Sequence, residues 1–494
     1  MTRIPLLSDS RILVVEPGPD DLILRPPAAR EALGDVPQAV RDALAFPLTG
    51  EPLERLAKPG GSATIVIEQP SLPVAATPLG PRHVAVAAAA DELERLGVDR
   101  ISIVVAGGLL RRTSPRDIGL LFPPEFRRRF RGRIIVHDVE ADDLVELGEV
   151  GPVPLRVNPA LVETDLVVTV TAAETVVHGG PAALLAAAGR EPLRAAGAQS
   201  LLETSASQGW SLAVELERRL QQRVPVIGVS LVLNLPRISG PFSGYPHDEE
   251  ALDRVARSRA RRLFGLAPAP VRQHILERVP RELTAAAVYA GPPSVAHAEA
   301  LLRGTVFKSA QLDEPLDAIV VGIPPTTPWL PRERPNPVTA AYVGLGLALR
   351  LWRNTPPVRD GGTAILVHPL PRRFPRPTQT PYRSVLYAAA AREADAMRTA
   401  EQEAQRDAAG IADYRAGRTC HPLQPFVEWS ACDAAAHRLG AVLVAGCRDA
   451  QAARQLGLVP VHALGAALEM AHGRGARSIG YVVAPPFFPL SVAA

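Results

Sequence analysis

Glu174-Thr175-Val176-Val177-His178-Gly179-Gly180 places a carboxylate four residues before an imidazole and ends in two glycines, which supply the freedom for a tight turn. An imidazole titrates near neutrality, so Glu174 and His178 could serve as an acid/base pair on a bound molecule. The plainer reading is that His178 caps the next helix. Glu68 is a second candidate carboxylate, directly after the apolar run Ala63 to Ile67. Arg111 and Arg112 close the loop that opens on Gly107-Gly108; backbone N–H groups plus a guanidinium fork suit a carboxylate or phosphate, and simple surface exposure is the alternative. His137-Asp138, with Glu140 and Asp142 nearby, gives either a steadied loop histidine or a structural one. His297 reads as a packing residue near the start of a helix. Cys420-His421-Pro422 with Cys432 has one histidine and two distant thiols, which favours a structural loop over a metal site.

The elements that must position these residues repeat one pattern. Val- and Ile-rich runs alternate with helical stretches, the signature of α/β units with a largely parallel sheet. Strands are expected at Ala63 to Ile67, Ile101 to Ala106, Arg133 to His137, Asp165 to Thr171 and Val226 to Leu233. After a Pro- and Arg-rich connector from about Gly240 to Pro280, a second set is expected at Asp317 to Val321, Thr363 to Val367, Ala441 to Ala445 and Ile479 to Val483. Helices are expected at His83 to Leu96, Ser211 to Gln222, Val338 to Trp352 and Tyr387 to Arg406, among others. The fold class is therefore α/β, with two Rossmann-like domains (1–270 and 271–494) and a ligand cleft between them. Open α/β sheets bind ligands beyond the carboxyl ends of their strands. That rule selects Glu68 and Gln69, Gly107 to Arg112, His137 and Asp138, and Thr171 to Gly180. In the second half it selects Pro324 to Trp329, with Thr326-Thr327-Pro328-Trp329 lining the cleft, His368 to Arg373, and Gly446 to Arg448.

Composition narrows the classes. Hydrophobic residues make up 47% and charged residues 21%, as in ordinary globular proteins. The net charge of +3 is small and dispersed, and the run Arg127-Arg128-Arg129 reads as a solvated helix end, so nucleic acid is not the expected partner. No window reaches the ~18 apolar residues of a membrane span, the N-terminus lacks a signal peptide's apolar core, and three cysteines without CxxC spacing fit reduced thiols. The cytoplasm is the expected location. All but two of the 54 basic side chains are arginines; the lysines are Lys58 and Lys308. Chemistry that requires a lysine has only these two candidates.

Several segments, in order, resemble the nickel-pincer lactate racemase family. Ala43-Leu44-Ala45-Phe46-Pro47, Leu56-Ala57-Lys58-Pro59-Gly60 and Ala63 to Glu68 look like its opening helix, KPG loop and first strand. Ile103 to Arg111 stands where that family runs a strand into an ATGxHR loop. Val136-His137-Asp138, Leu155 to Pro159, Asp165 to Val168 and Gly361 to Val367 match further segments. The resemblance implies interconversion of the stereoisomers of a 2-hydroxy acid by hydride transfer to a nickel-bearing pyridinium nucleotide. Histidines would act as acid and base, a lysine would be joined to the cofactor, and a further histidine would hold the metal.

At these positions the chain departs from the family pattern. The loop histidine falls on Leu110, the second histidine on Val176, the cofactor lysine near Ala186, and the metal histidine near Gln208 or Gly209; the substrate-gripping pair falls on Glu68 and Leu72. No lysine stands from 59 to 307. The expectation is a divergent lactate-racemase-like protein acting on a small 2-hydroxy acid or related carboxylate, with His178 and Glu174 catalytic and Glu68 and Arg111 on the substrate. The attachment lysine and histidine ligands of a nickel-pincer nucleotide are not found. The alternative is a non-catalytic carboxylate-binding or regulatory relative.

Overall fold

The computed structural model describes residues 2–69, 72, 80–279, 281–326, 333–391 and 395–493. In chain order its main strands are β1 (Leu22–Leu24), β2 (Ser62–Glu68), β3 (Arg100–Ala106), β4 (Arg133–Val136), β5 (Leu166–Ala172), β6 (Val226–Leu233), β7 (Ala285–Gly291), β8 (Leu316–Gly322), β9 (Val358–Val367), β10 (Ala441–Ala445), β11 (Val459–Val461) and β12 (Ile479–Val482). They form two six-stranded sheets, ordered β7-β6-β5-β2-β3-β4 and β11-β10-β9-β8-β12-β1. Only the β6/β7 pairing is antiparallel. The α/β class read from the sequence is what the chain adopts.

Central strands are apolar throughout because helices cover both faces of a parallel sheet. Leu166–Ala172 and Val226–Leu233 are buried at every residue. Two apolar cores, one on each face, flank the first sheet: Ile65, Ile103 and Val168 point to one, Val66, Val104 and Val167 to the other, as the two-residue period of a strand requires. Four helices bear on the site: α1 (Pro81–Arg95), α2 (Pro181–Ala186), α3 (Gln208–Gln221) and α4 (Pro293–Lys308). Three of them start on a proline, whose missing N–H costs nothing in the first turn, and α3 starts on Ser207, whose hydroxyl accepts the Trp210 N–H. The start of α4 lies against β6 so closely that a Cβ on Gly228 would stand 2.7 Å from Thr169 Oγ1 and 2.8 Å from Pro293 Cα. Gly228→Ala is expected to destabilise the fold by about 1–3 kcal/mol through overpacking, read as a lower urea midpoint at unchanged slope.

Several expected elements come out differently. Val338 to Trp352 is not one helix: Pro337–Ala341 is α-helical, Tyr342–Leu347 is a π turn and Ala348–Arg350 a 3₁₀ turn. Gly344 and Gly346 lie within this stretch, where helix propensity is lowest. The helix expected over Tyr387 to Arg406 is two, Tyr382–Ala391 and Ala396–Arg406. The connector carries three short helices, Glu249–Arg257, Arg259–Leu266 and Ala269–Glu277. Sheet membership does not follow the expected division at 270/271. β7 returns to pair with β6, and β1 crosses to the edge of the second sheet beside β12. Among the described residues no helix is long and apolar enough to cross a membrane.

Candidate functional site

Glu68 ends β2, and Glu174 to Gly180 come directly after β5, so adjacent parallel strands deliver both segments to one carboxyl edge. Arg82, in the first turn of α1, pairs with Glu174 at 2.6 Å, and both side chains are largely buried. Glu68 accepts the Gly179 N–H through its carboxyl, while its Oε2 is buried without a hydrogen-bond partner among the described residues. Burial pushes the Glu68 pKa up to about 8; Arg82 opposes this and Glu174 adds to it. Glu174 is thus held on the Arg82 guanidinium, while Glu68 keeps its proton at neutral pH.

His178 is half-buried, with Nδ1 3.3 Å from Thr175 Oγ1. Burial lowers its pKa to about 4 against the pull of Glu174, which keeps the imidazole neutral and able to accept a proton at pH 7. Its loop is held by a hydrogen-bond chain: Gly180 N–H donates to Thr171 Oγ1, which lies 3.5 Å from Ser230 Oγ, itself 3.3 Å from His297 Nδ1. His297 Nε2 then donates to the Thr175 carbonyl at 2.9 Å. Gly179 and Gly180 have φ of +87° and +52°, and a Cβ on either would run into the His297 side chain. His297, fully buried, therefore packs as expected, and it packs against the loop that carries Glu174 and His178.

Lys308, at the end of α4, was not among the expected site residues. Its side chain folds back over Gly304 and lines a cavity of about 30 Å³ together with Glu174, Asn234 and Thr305. The remaining wall is apolar and includes Leu72, Leu233 and Leu301, with Leu351 and Phe487 added from the second half. Burial pulls the Lys308 pKa down to about 8, with Glu174 opposing and Arg82 assisting. Among the described residues its ammonium makes no hydrogen bond or ion pair. At neutral pH the described cluster thus holds the Arg82–Glu174 ion pair, one neutral carboxyl, two neutral imidazoles and the Lys308 ammonium.

Arg111 is not brought into this cluster. It pairs with Asp117 at 2.8 Å and reaches the Gly417 carbonyl at 3.4 Å. Ser114 caps the short helix Pro115–Ile118 and bonds Asp117 as well, which fixes the carboxylate that Arg111 meets. Arg112 bonds the carbonyls of Val136, His137 and Arg415, tying the end of β4 to the second half. His137 is structural, buried between the Ala188 carbonyl and the Asn158 amide. His421 is structural too: Nδ1 accepts the Leu423 N–H, so Nε2 carries the proton and donates to Glu140 at 3.0 Å. Thr327, Pro328 and Trp329 lie outside the described residues.

The comparisons with known proteins bear on this geometry. Residues 15–180 match the lactate racemase N-terminal domain family. The first third of the chain is similar to that domain family. Over the full length of both chains it superposes on the lactate racemase apoprotein from Thermoanaerobacterium thermosaccharolyticum with a TM-score of 0.61 at 13% identity. A Thermotoga maritima protein solved by structural genomics gives a TM-score of 0.51 at 11% identity, covering 92% of this chain and 98% of that one. No curated protein matches the sequence.

A nickel-pincer nucleotide, implied by the family resemblance, does not fit the racemase-like chain's donor set. Nickel of this kind calls for imidazole and sulfur ligands. Both ring nitrogens of His297 are committed to Ser230 and Thr175, and His178 Nδ1 lies against Thr175. The thiols of Cys432 and Cys447 bond backbone carbonyls of the second half. Val176 is fully buried in a hydrophobic core, Ala186 ends α2 among buried residues, and Gln208 and Gly209 open α3. Lys308 approaches from a different element, α4. The cluster's own side chains offer groups for proton transfer, a neutral carboxyl and a neutral imidazole.

Proposed function

We propose that this chain is an isomerase-class enzyme, a divergent racemase or epimerase relative, acting on a small 2-hydroxy acid or related carboxylate at the Glu68–Glu174–His178 cluster. The observation that carries the reading is an ammonium, Lys308, which lines a mostly apolar cavity together with Glu174 and makes no hydrogen bond or ion pair among the described residues. A carboxylate group pairs its charge with the Lys308 ammonium. His178, neutral, takes a proton from the substrate; protonated Glu68 donates one; Arg82 keeps Glu174 ionised, and Glu174 steadies the imidazolium formed on His178. Support comes from the family and fold match together with the position of the cluster at the carboxyl edge of the first sheet.

The test uses the purified full chain with a panel of 2-hydroxy and 2-oxo acids in D₂O, following exchange of the α-proton by NMR and inversion by chiral chromatography. Exchange or inversion supports the enzyme. Ligand-induced stabilisation with neither sustains the second reading, a carboxylate-binding relative, which the largely apolar cavity also favours. The absence of all three responses overturns both. Lys308→Met is expected to weaken carboxylate binding by about 10- to 100-fold while raising the melting temperature, because a half-buried cation without a hydrogen-bonded partner is removed. Calorimetric titration and thermal unfolding on the same preparation read both effects.

A further inference from the structure

The second sheet has its own carboxyl mouth, and the Glu68–Glu174–His178 cluster makes no use of it. Three neighbouring strands end there. The Asp9 N–H donates to the Ile323 carbonyl after β8, His368 comes directly after β9, and the Arg448 N–H donates to Pro369 beyond the end of β10. Around this mouth Arg334 lies 3.6 Å from Asp9 and 3.4 Å from Ser10 Oγ, and Arg272 donates to the Ser10 carbonyl at 3.1 Å. Arg11 adjoins Ser10 in sequence. The positive charges of Arg11, Arg334 and Arg448 all bear on Arg272, against the carboxylate of Asp9, while the adjoining acids Glu333 and Asp449 are engaged by Thr378 and Arg372. Such a concentration of guanidinium groups at a sheet mouth is stabilised by a bound anion and is otherwise self-repelling.

Two further observations fall on the same ground. Asn336, two residues beyond Arg334, is fully buried, and among the described residues its Nδ2 has no hydrogen-bond partner, an unmet donor that a native interior seldom tolerates. Among the described residues three non-glycine positions have left-handed backbone, and two of them, Asp9 (φ +52°) and Leu370 (φ +42°), flank this mouth. Left-handed backbone at a buried leucine is strained, and strain of this kind gathers at ligand clamps.

We propose that the carboxyl mouth of the second sheet is a binding site for a multiply charged oxyanion, of phosphate or dicarboxylate type, gripped by Arg334, Arg448 and the Asn336 amide. None of these groups is a charge neighbour of Glu68, His178 or Lys308, so the site stands or falls apart from the proposed catalysis. The Arg448 side chain makes no hydrogen bond or ion pair among the described residues, so Arg448→Gln removes charge without loosening the fold.

The experiment is calorimetric titration of the full chain with pyrophosphate and, separately, malonate at matched ionic strength, on wild type, Arg448→Gln, Arg334→Gln and Asn336→Ala. Binding of either anion, weakened about tenfold or more by Arg448→Gln at unchanged melting temperature, is the expected result. The stronger of the two ligands then identifies the oxyanion type. No binding of either anion overturns the proposal, as does binding that neither arginine variant weakens.

Discussion

Replacing His178 by alanine is expected to lower turnover of the small carboxylate by about 10²- to 10⁴-fold, the usual contribution of a positioned acid or base. The fold should survive. His178 is half-buried and its ring contacts Thr175, while the loop it stands on is held independently through Thr171, Ser230 and His297. A melting temperature within a few degrees of wild type, with circular dichroism unchanged, separates lost chemistry from lost structure. The pH profile makes the prediction sharper. With the His178 pKa at about 4, the acid limb of kcat/KM should lie near pH 4 and not near 6.5, because the neutral imidazole is the active form. The alkaline limb should lie near pH 8, where Glu68 loses the proton it donates and Lys308 begins to lose its charge. An acid limb near 6.5, or unchanged activity in His178→Ala, removes His178 from the mechanism.

Three of the four expected site residues come to one sheet edge, a placement legible in the sequence because strand ends are. Runs such as Ile101 to Ala106 and Val226 to Leu233 announce buried parallel strands by composition, and the residues just beyond such a strand face the ligand edge. Glu68, Glu174 and His178 all sit there. Arg82, His297 and Lys308 come from helices α1 and α4. Their facing depends on how those helices lie across the sheet, which no local pattern encodes. Lys308 also ends a helix whose far turns pack on β6, so its approach to Glu174 results from tertiary packing. Arg111 could have been set aside from sequence: Ser114-Pro115-Arg116-Asp117 has the spacing of a capped helix start, and a fixed acid six residues on is a ready partner. The crossings of β1 and β7 stayed hidden for a related reason. A three-residue strand carries almost no periodic signal, and nothing local in Ala285–Gly291 says which sheet it joins.

Glu68→Gln is expected to stabilise the fold at alkaline pH and to leave it nearly unchanged at pH 5. The ordinary carboxyl pKa of 4.5 rises to about 8 at Glu68 in the folded chain, chiefly through burial. Between those values the folded state keeps a proton that the unfolded chain releases, so wild-type stability falls as pH rises, by up to ~1.4 kcal/mol per unit. By pH 8 this amounts to about 3–5 kcal/mol, all of which glutamine avoids because it has no charge to bury. Glu217 and Glu428, whose pKa values burial raises to about 7 and about 8, impose the same trend in both proteins and cancel in the comparison. Urea unfolding of wild type and variant at pH 5, 6.5 and 8 should therefore give curves that diverge steadily. Parallel curves would show that Glu68 ionises freely and holds no proton for catalysis. Glutamine keeps the acceptor for the Gly179 N–H but cannot donate an acid proton, so the same substitution should reduce turnover at pH 7. Stability and activity moving in opposite directions at one residue is the behaviour expected of a carboxyl kept neutral for use and not for packing.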